Sequence, residues 1–271
     1  MIGVKRAFSS RWAPNLKGKV GLEGLFQEFG PTGVIALAAL ALITSTIHGA
    51  IGVAGGFLMA AAMAPIIGVA PIVPTISIAL LISHSARAIL NIKNFDKGAF
   101  LAVSVPAIPC IIAFAYLYGR MSSPLIAFIL GSVILISVPA RHWAKSRQIT
   151  ANKKTLGIVG SVYGALAGVS IGPGLVLSPF MLGYGLSKEA FVATIAAIAL
   201  VANIVRALVF GATDLITSDY LFLGLLIGLM TIPGNWIGRT VLQRITTEKH
   251  SNLVDVIAVI GALNFFWLAV K

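Results

Sequence analysis

The chain is poor in charge and poorer still in acid. Of its 271 residues only 10% are Asp, Glu, Lys or Arg, and just 8 of these are acidic, against roughly 25% charged residues in an average soluble domain. That scarcity excludes an ordinary water-soluble domain. A lone cysteine, Cys110, excludes an internal disulfide and a cysteine-built metal site, and reads as small apolar filler. No carboxylate pair falls inside an apolar run, and no histidine-rich metal motif occurs. Neither a serine nucleophile with a base at recognisable spacing nor a phosphate-binding P-loop is present. Enzymatic chemistry and ATP hydrolysis therefore have no residues to carry them, and no cofactor or metal is called for.

What the sequence does hold is hydrophobic surface: 58% of residues are apolar and the mean hydropathy is +0.98. This composition predicts an all-α polytopic membrane protein, since each crossing needs roughly 20 apolar residues. The spans are expected at 32–69, 72–92, 98–119, 123–142, 155–184, 187–211, 219–238 and 252–270. The formal net charge of +12 comes from 20 Lys and Arg. These lie in short links between apolar runs, which assigns them to topology and anionic headgroups rather than to nucleic acid. Residues 1–31 mix Lys5, Arg6, Arg11, Lys17 and Lys19 with Phe8, Trp12, Leu22, Leu25 and Phe26, the pattern of a cytoplasmic amphipathic or disordered segment against the membrane surface.

The first and fifth spans are too long for one straight helix, and each contains a glycine-rich interruption. The second reads "GVSIGPGLVLSPFMLGYG" from Gly168 to Gly185, five glycines and two prolines without a charge. Each is expected to be two half-helices joined by irregular backbone, with new helices opening near Phe57 and Leu175. Inside a membrane such backbone is tolerated where it is buried in protein or lines a cavity. Gly183, outside the break, is expected to accept a side chain more readily than Gly174.

Sliding the sequence along itself by 119 positions aligns Gly49 with Gly168, Gly55 with Gly174, Thr75 with Thr194, His84 with Asn203 and Arg87 with Arg206. The same shift brings Gly119-Arg120 onto Gly238-Arg239 without a gap. Two arginines inside apolar runs at one shift are hard to credit to chance. The chain thus divides into a first repeat of about four spans at 32–142, a basic linker at 143–154 and a second repeat at 155–271, each beginning with a glycine-broken helix. Repeats of this kind, with broken helices at their interface, are the pattern of secondary transporters.

Arg87 and Arg206 lie deep in their spans, where a cation costs about 2.5–3.5 kcal/mol even on the milder insertion scale. Ser77, His84, Arg87 and Asn91 share one helical face, and Asn203 with Arg206 repeats the spacing of His84 with Arg87. Every acidic residue near these spans, Asp96, Asp214, Asp219 and Glu189, sits at an end. A bound anion would supply the missing charge, helped by backbone N–H groups at Gly55, Gly56, Gly172 and Gly174, where half-helix N-termini point inward. The competing readings are arginines that snorkel to the interface and glycines that serve helix packing. Arg120 and Arg239, at helix ends, read as interface anchors. His84, one turn from Arg87, and His48, just before the first break, are the residues that would carry a proton with the anion. His142 and His250 read as surface residues.

The stretch "GAIGVAGGFLMAAAMAPIIGVAP" and the second-half run from "GALAGVSIGPG" to "GNWIGRTV" resemble the two halves of the TauE/SafE family of sulfite and organosulfonate exporters. The second half carries the family's pattern in Gly168, Gly172, Gly174, Pro179, Ala193, Thr194, Asp214, Gly238 and Arg239. The first keeps "GVAGG" and Pro65 before an unusually alanine-rich run. The resemblance implies export of a small sulfur-containing anion such as sulfite, thiosulfate, sulfoacetate or another organosulfonate. The alternative is an anion channel or a non-transporting subunit of a membrane complex. The implied partners are the anion, the lipid bilayer and protons, with no nucleic acid, and the oligomeric state stays open. A bacterial inner membrane is the expected location. If each broken segment crosses once, the N-terminal tail, Lys93, Lys97, the linker and Lys271 all gather on one side, which the charge rule makes cytoplasmic. If each folds back as a hairpin, the repeats are inverted and the basic linker falls opposite the N-terminus. Charge favours the first arrangement, transporter precedent the second.

Overall fold

In lipid the backbone must satisfy its own hydrogen bonds, and apolar runs of this length do so as helices. A computed structural model describes residues 22–51, 55–90, 92–146, 149–242 and 247–271, and these form ten α-helices and one 3-10 turn, with no strand among the described residues. Ahead of the linker lie α1 (Leu22–Ile51), α2 (Gly55–Ile67), α3 (Val69–Leu90), α4 (Lys97–Tyr118) and α5 (Ser123–Ser146). After it come α6 (Lys153–Val169), α7 (Gly174–Gly183), α8 (Lys188–Ala212), α9 (Ser218–Leu242) and α10 (Thr247–Val270). Six helices, α1, α3, α4, α5, α8 and α9, are long and apolar enough to cross a membrane. Side-chain caps set several starts: Asp96 accepts from the Ala99 N–H at 2.7 Å, Asn152 from Thr155 at 2.9 Å and Ser187 from Ala190 at 3.2 Å.

The surface segment expected over 1–31 lies outside the described residues up to residue 21. Residues 22–29 are the first turns of α1 and seat Leu25, wholly buried, in the core. The backbone bends at Gly30, and Pro31 opens the apolar run.

Helices end at Ile51 and Val169 and restart at Gly55 and Gly174, and each of these segments reverses instead of crossing once. Gly224 and Gly228 of α9 pack on Thr75–Ile78 and Ala79–Ile82 of α3, and Asn235 bonds Ser83, so α3 and α9 run parallel. In α1, Glu28 lies near Asp219 and Ser45 meets Met230 and Gly234, so α1 is parallel to both. Gly56 at the head of α2 packs on Leu80, and α2 ends one residue before α3 begins, at Gly68 with φ +95°. Therefore α2 runs back down beside α1. With 13 residues it is about 20 Å long, and α7 with 10 about 15 Å, too short to cross a hydrocarbon core of about 30 Å.

The second segment does the same from the other face. Gly160, Gly164 and Gly168 of α6 press in order against Val103, Ala107 and Ile111–Ala115, so α6 is parallel to α4. Tyr118, ending α4, donates to the Ala70 carbonyl at the start of α3, so α4 descends where α3 ascends. α7 climbs back until the Gly183 carbonyl accepts from the Ala151 N–H beside the entry to α6. The start of α1 and the linker consequently lie on opposite faces. The one-sided gathering of basic residues that favoured a single crossing does not occur, because hydropathy records that a segment enters the membrane and not which way it leaves.

The most extensive interfaces are α4 with α6 and α1 with α9, followed by α3 with α9, α5 with α10, α3 with α8 and α4 with α8.

Candidate functional site

The two hairpins meet tip to tip at mid-depth. A Cβ on Gly56 would lie 2.8 Å from Ile171 Cγ2, and one on Gly172 3.2 Å from Phe57 Cδ1, so each tip seats a side chain on the other's glycine. Gly172 has φ +88°, a conformation that L side chains rarely adopt, and it turns the chain from the end of α6 into α7. The four other glycines of the Gly168–Gly185 stretch do other work. Gly168 closes the α6–α4 contact, Gly174 starts α7, Gly185 follows α7 in a turn, and Gly183 packs on the linker, where a Cβ would overlap the Ile149 carbonyl. The tolerance expected at Gly183 is therefore contradicted: it is a packing glycine against backbone.

A cavity of about 60 Å³ opens where the tips meet. At roughly 10–15 Å³ for each water, it has room for a few waters or one small anion. His48, Gly56, His84, Arg87, Gly172, Gly174, Asn203 and Arg206 line it, together with Tyr163 and the apolar Leu80, Ile171, Leu177 and Ile195. Gly55 is the first residue of α2, one position from Gly56. Ser77 is not in the lining and bonds back to Val73 of its own helix, and Asn91 lies outside the described residues. Among the described residues no carboxylate lines the cavity.

The N-termini of α2 and α7 approach this cavity from opposite faces, each with a positive dipole end; at α7 the N–H groups of Leu175 and Val176 bond back to the carbonyls of Gly172 and Pro173. The C-termini of α1 and α6 approach it too, and there the arginines take their places. Arg206, 4% exposed, donates from Nη1 to the carbonyls of Ala167 at 2.8 Å and Ser170 at 2.6 Å, and from Nη2 to Asn203 Oδ1 at 2.6 Å. Its Nε has no protein partner. Arg87 Nη1 lies 3.5 Å from His48 Nε2, also 39 residues earlier in the chain, as Ala167 is from Arg206. Part of the charge balance assigned above to an anion is thus supplied by carbonyls at a broken helix end. Those carbonyls were invisible in the sequence, since they are free only because α6 stops at Val169.

The histidines face one another edge to face, with ring centroids 6.5 Å apart. His84 Nδ1 is buried without a partner among the described residues. Asn203 Oδ1 holds Arg206 and its Nδ2 donates to the Ala199 carbonyl at 2.7 Å. Away from the site, Arg120 donates to Tyr116 Oη at 2.7 Å and stacks over its ring, and exposed His142 pairs with Asp255 at 2.8 Å. The side chains of Arg239 and His250 lie outside the described residues. Tyr163 was missed. A tyrosine among glycines in an apolar helix looks like packing, and its one signal was a hydroxyl far from either span end.

Long apolar helices, two opposed re-entrant hairpins and a cationic cavity at their tips define an integral membrane protein built around a central site. Residues 37–265 match the family model described as sulfite exporter TauE/SafE. The chain belongs to that family, and is a transmembrane protein of the sulfite-exporter type. No curated protein and no solved structure matches it.

Proposed function

We propose that this chain is a secondary carrier that moves a small sulfur-containing anion through the cavity between the hairpin tips by alternating access. The observation that carries the reading is the lining itself. The Arg87 and Arg206 guanidiniums and two helix N-termini converge on a cavity whose described lining holds no carboxylate, which favours an anion and rejects a cation. The small volume favours sulfite, thiosulfate or a short sulfonate over bulkier ligands.

The packing pattern supports two inverted repeats. Exchanging the halves turns α4–α6 into α9–α1 and α3–α9 into α8–α4, and maps α3–α8 and α5–α10 onto themselves. Two such halves give near-equivalent arrangements open to either side, the basis of alternating access. A proton accompanies the anion in this reading. His84 is surrounded by Arg87, His48 and Arg206, so protonating it in the empty site adds to existing positive charge, and a bound anion offsets that addition.

Purified protein in liposomes, offered sulfite, thiosulfate, sulfate, sulfoacetate and taurine in turn under an imposed pH gradient, tests the proposal. Saturable uptake of at least one sulfur oxyanion is expected. It should be stimulated by an inward proton gradient, a stimulation that His84→Gln loses. Non-saturating flux would favour the channel reading, and absence of flux with every anion would remove the carrier.

A further inference from the structure

Tyr163 stands on α6 one turn before Ala167 and walls the cavity. Only 4% of it is exposed. Tyr118, 1% exposed, donates its hydroxyl to the Ala70 carbonyl at 2.8 Å, whereas the Tyr163 hydroxyl makes no hydrogen bond to any described residue and its oxygen is open to the cavity rather than sealed in the core. The charged group that faces it is the Arg206 guanidinium, which accepts nothing and whose Nη donors are taken by Ala167, Ser170 and Asn203. Leu177, Ile195 and Ala202 around it offer no acceptor side chain. A buried phenol is expected to find a partner. Here the charged neighbour is a cation and the flanking side chains are apolar, so an acceptor seated in the cavity would complete the hydroxyl's bonding.

We infer that Tyr163 is a substrate-binding residue whose hydroxyl donates a hydrogen bond to an oxygen of the bound anion. The inference rests on the anion reading of the same cavity and adds a neutral, directional donor to its charges. Arg206 supplies field from a position fixed by its own bonds. Tyr163 supplies a contact that only an acceptor in the cavity completes, and so sharpens selection for oxyanions seated on the α6 side.

The test is Tyr163→Phe, which keeps the ring and removes the donor. Binding of sulfite, sulfate and thiosulfate to detergent-purified wild type and variant is measured by calorimetry, with the thermal midpoint of each ligand-free protein. A hydrogen bond to a charged group corresponds to roughly ten- to hundredfold in affinity. The variant is expected to bind the best of these anions at least about tenfold more weakly, with a ligand-free midpoint unchanged or raised, since an unpartnered polar group has been removed. Equal affinity in the two proteins overturns the role of Tyr163 while leaving the anion site standing. Weaker binding with a lowered ligand-free midpoint also overturns it, because the hydroxyl would then serve the fold. If wild type binds none of the three anions, the anion reading fails and this inference falls with it.

Discussion

At the scale of single residues the two arginines are not interchangeable, although the repeat pairs them. Arg206 closes the end of α6 through three hydrogen bonds, and its removal strands two carbonyls and an amide oxygen in a site with almost no exposure. At about 1–3 kcal/mol for a stranded buried group, Arg206→Ala should cost on the order of 3 kcal/mol or more and weaken anion binding as well. Arg206→Lys should recover only part, because one ammonium cannot reproduce the planar fork. Arg87→Ala should weaken binding as well. Thermal unfolding and sulfite binding measured on the same three variants check this, and an Arg206→Ala protein as stable as wild type would contradict it. Both arginines were legible in the sequence because a charge in an apolar run stands out. Tyr163 was not, because its value appears only once α6 and α8 together wall the cavity and set its hydroxyl near Arg206.

At the scale of elements the glycines divide into two kinds that a sequence does not separate. Gly160, Gly164 and Gly168 let α6 press on α4, where a Cβ on Gly160 would sit 2.6 Å from the Val103 carbonyl. Gly172 instead turns a hairpin tip. Gly172→Ala should abolish transport, since the residue combines φ +88° with Phe57 packed over it. Gly211→Ala, in a helix with nothing within 4 Å of the added carbon, should transport normally and be slightly more stable, by about 0.5–1 kcal/mol. Uptake and unfolding midpoints of the two variants decide, and equal transport by both would remove the tip from the mechanism. The positions of the helices were well marked: α3, α4, α8 and α9 begin and end within about four residues of the expected spans. The reversal at each break was not marked, because a span of about 30 residues fits a bent single crossing and a hairpin equally in hydropathy. Only the order of contacts along α1, α3 and α9 distinguishes them.

At the scale of the whole molecule, two halves of opposite direction enclose one cavity, and the central claim is that this cavity is where the anion sits as it changes sides. The chain's single cysteine makes the claim accessible. Cys110, on α4, is absent from the cavity lining, so Cys110→Ser gives a thiol-free background, and Ala199→Cys then places one thiol in the cavity wall. The decisive measurement is the rate at which a small, membrane-impermeant thiol reagent modifies this cysteine in liposomes, from each side, with and without sulfite or thiosulfate. The account predicts modification from both faces, as the site opens to each in turn, and slowing by the transported anion but not by an equal concentration of a sodium salt that the protein does not carry. Modification from one face alone, or at a rate indifferent to every anion transported, would contradict it.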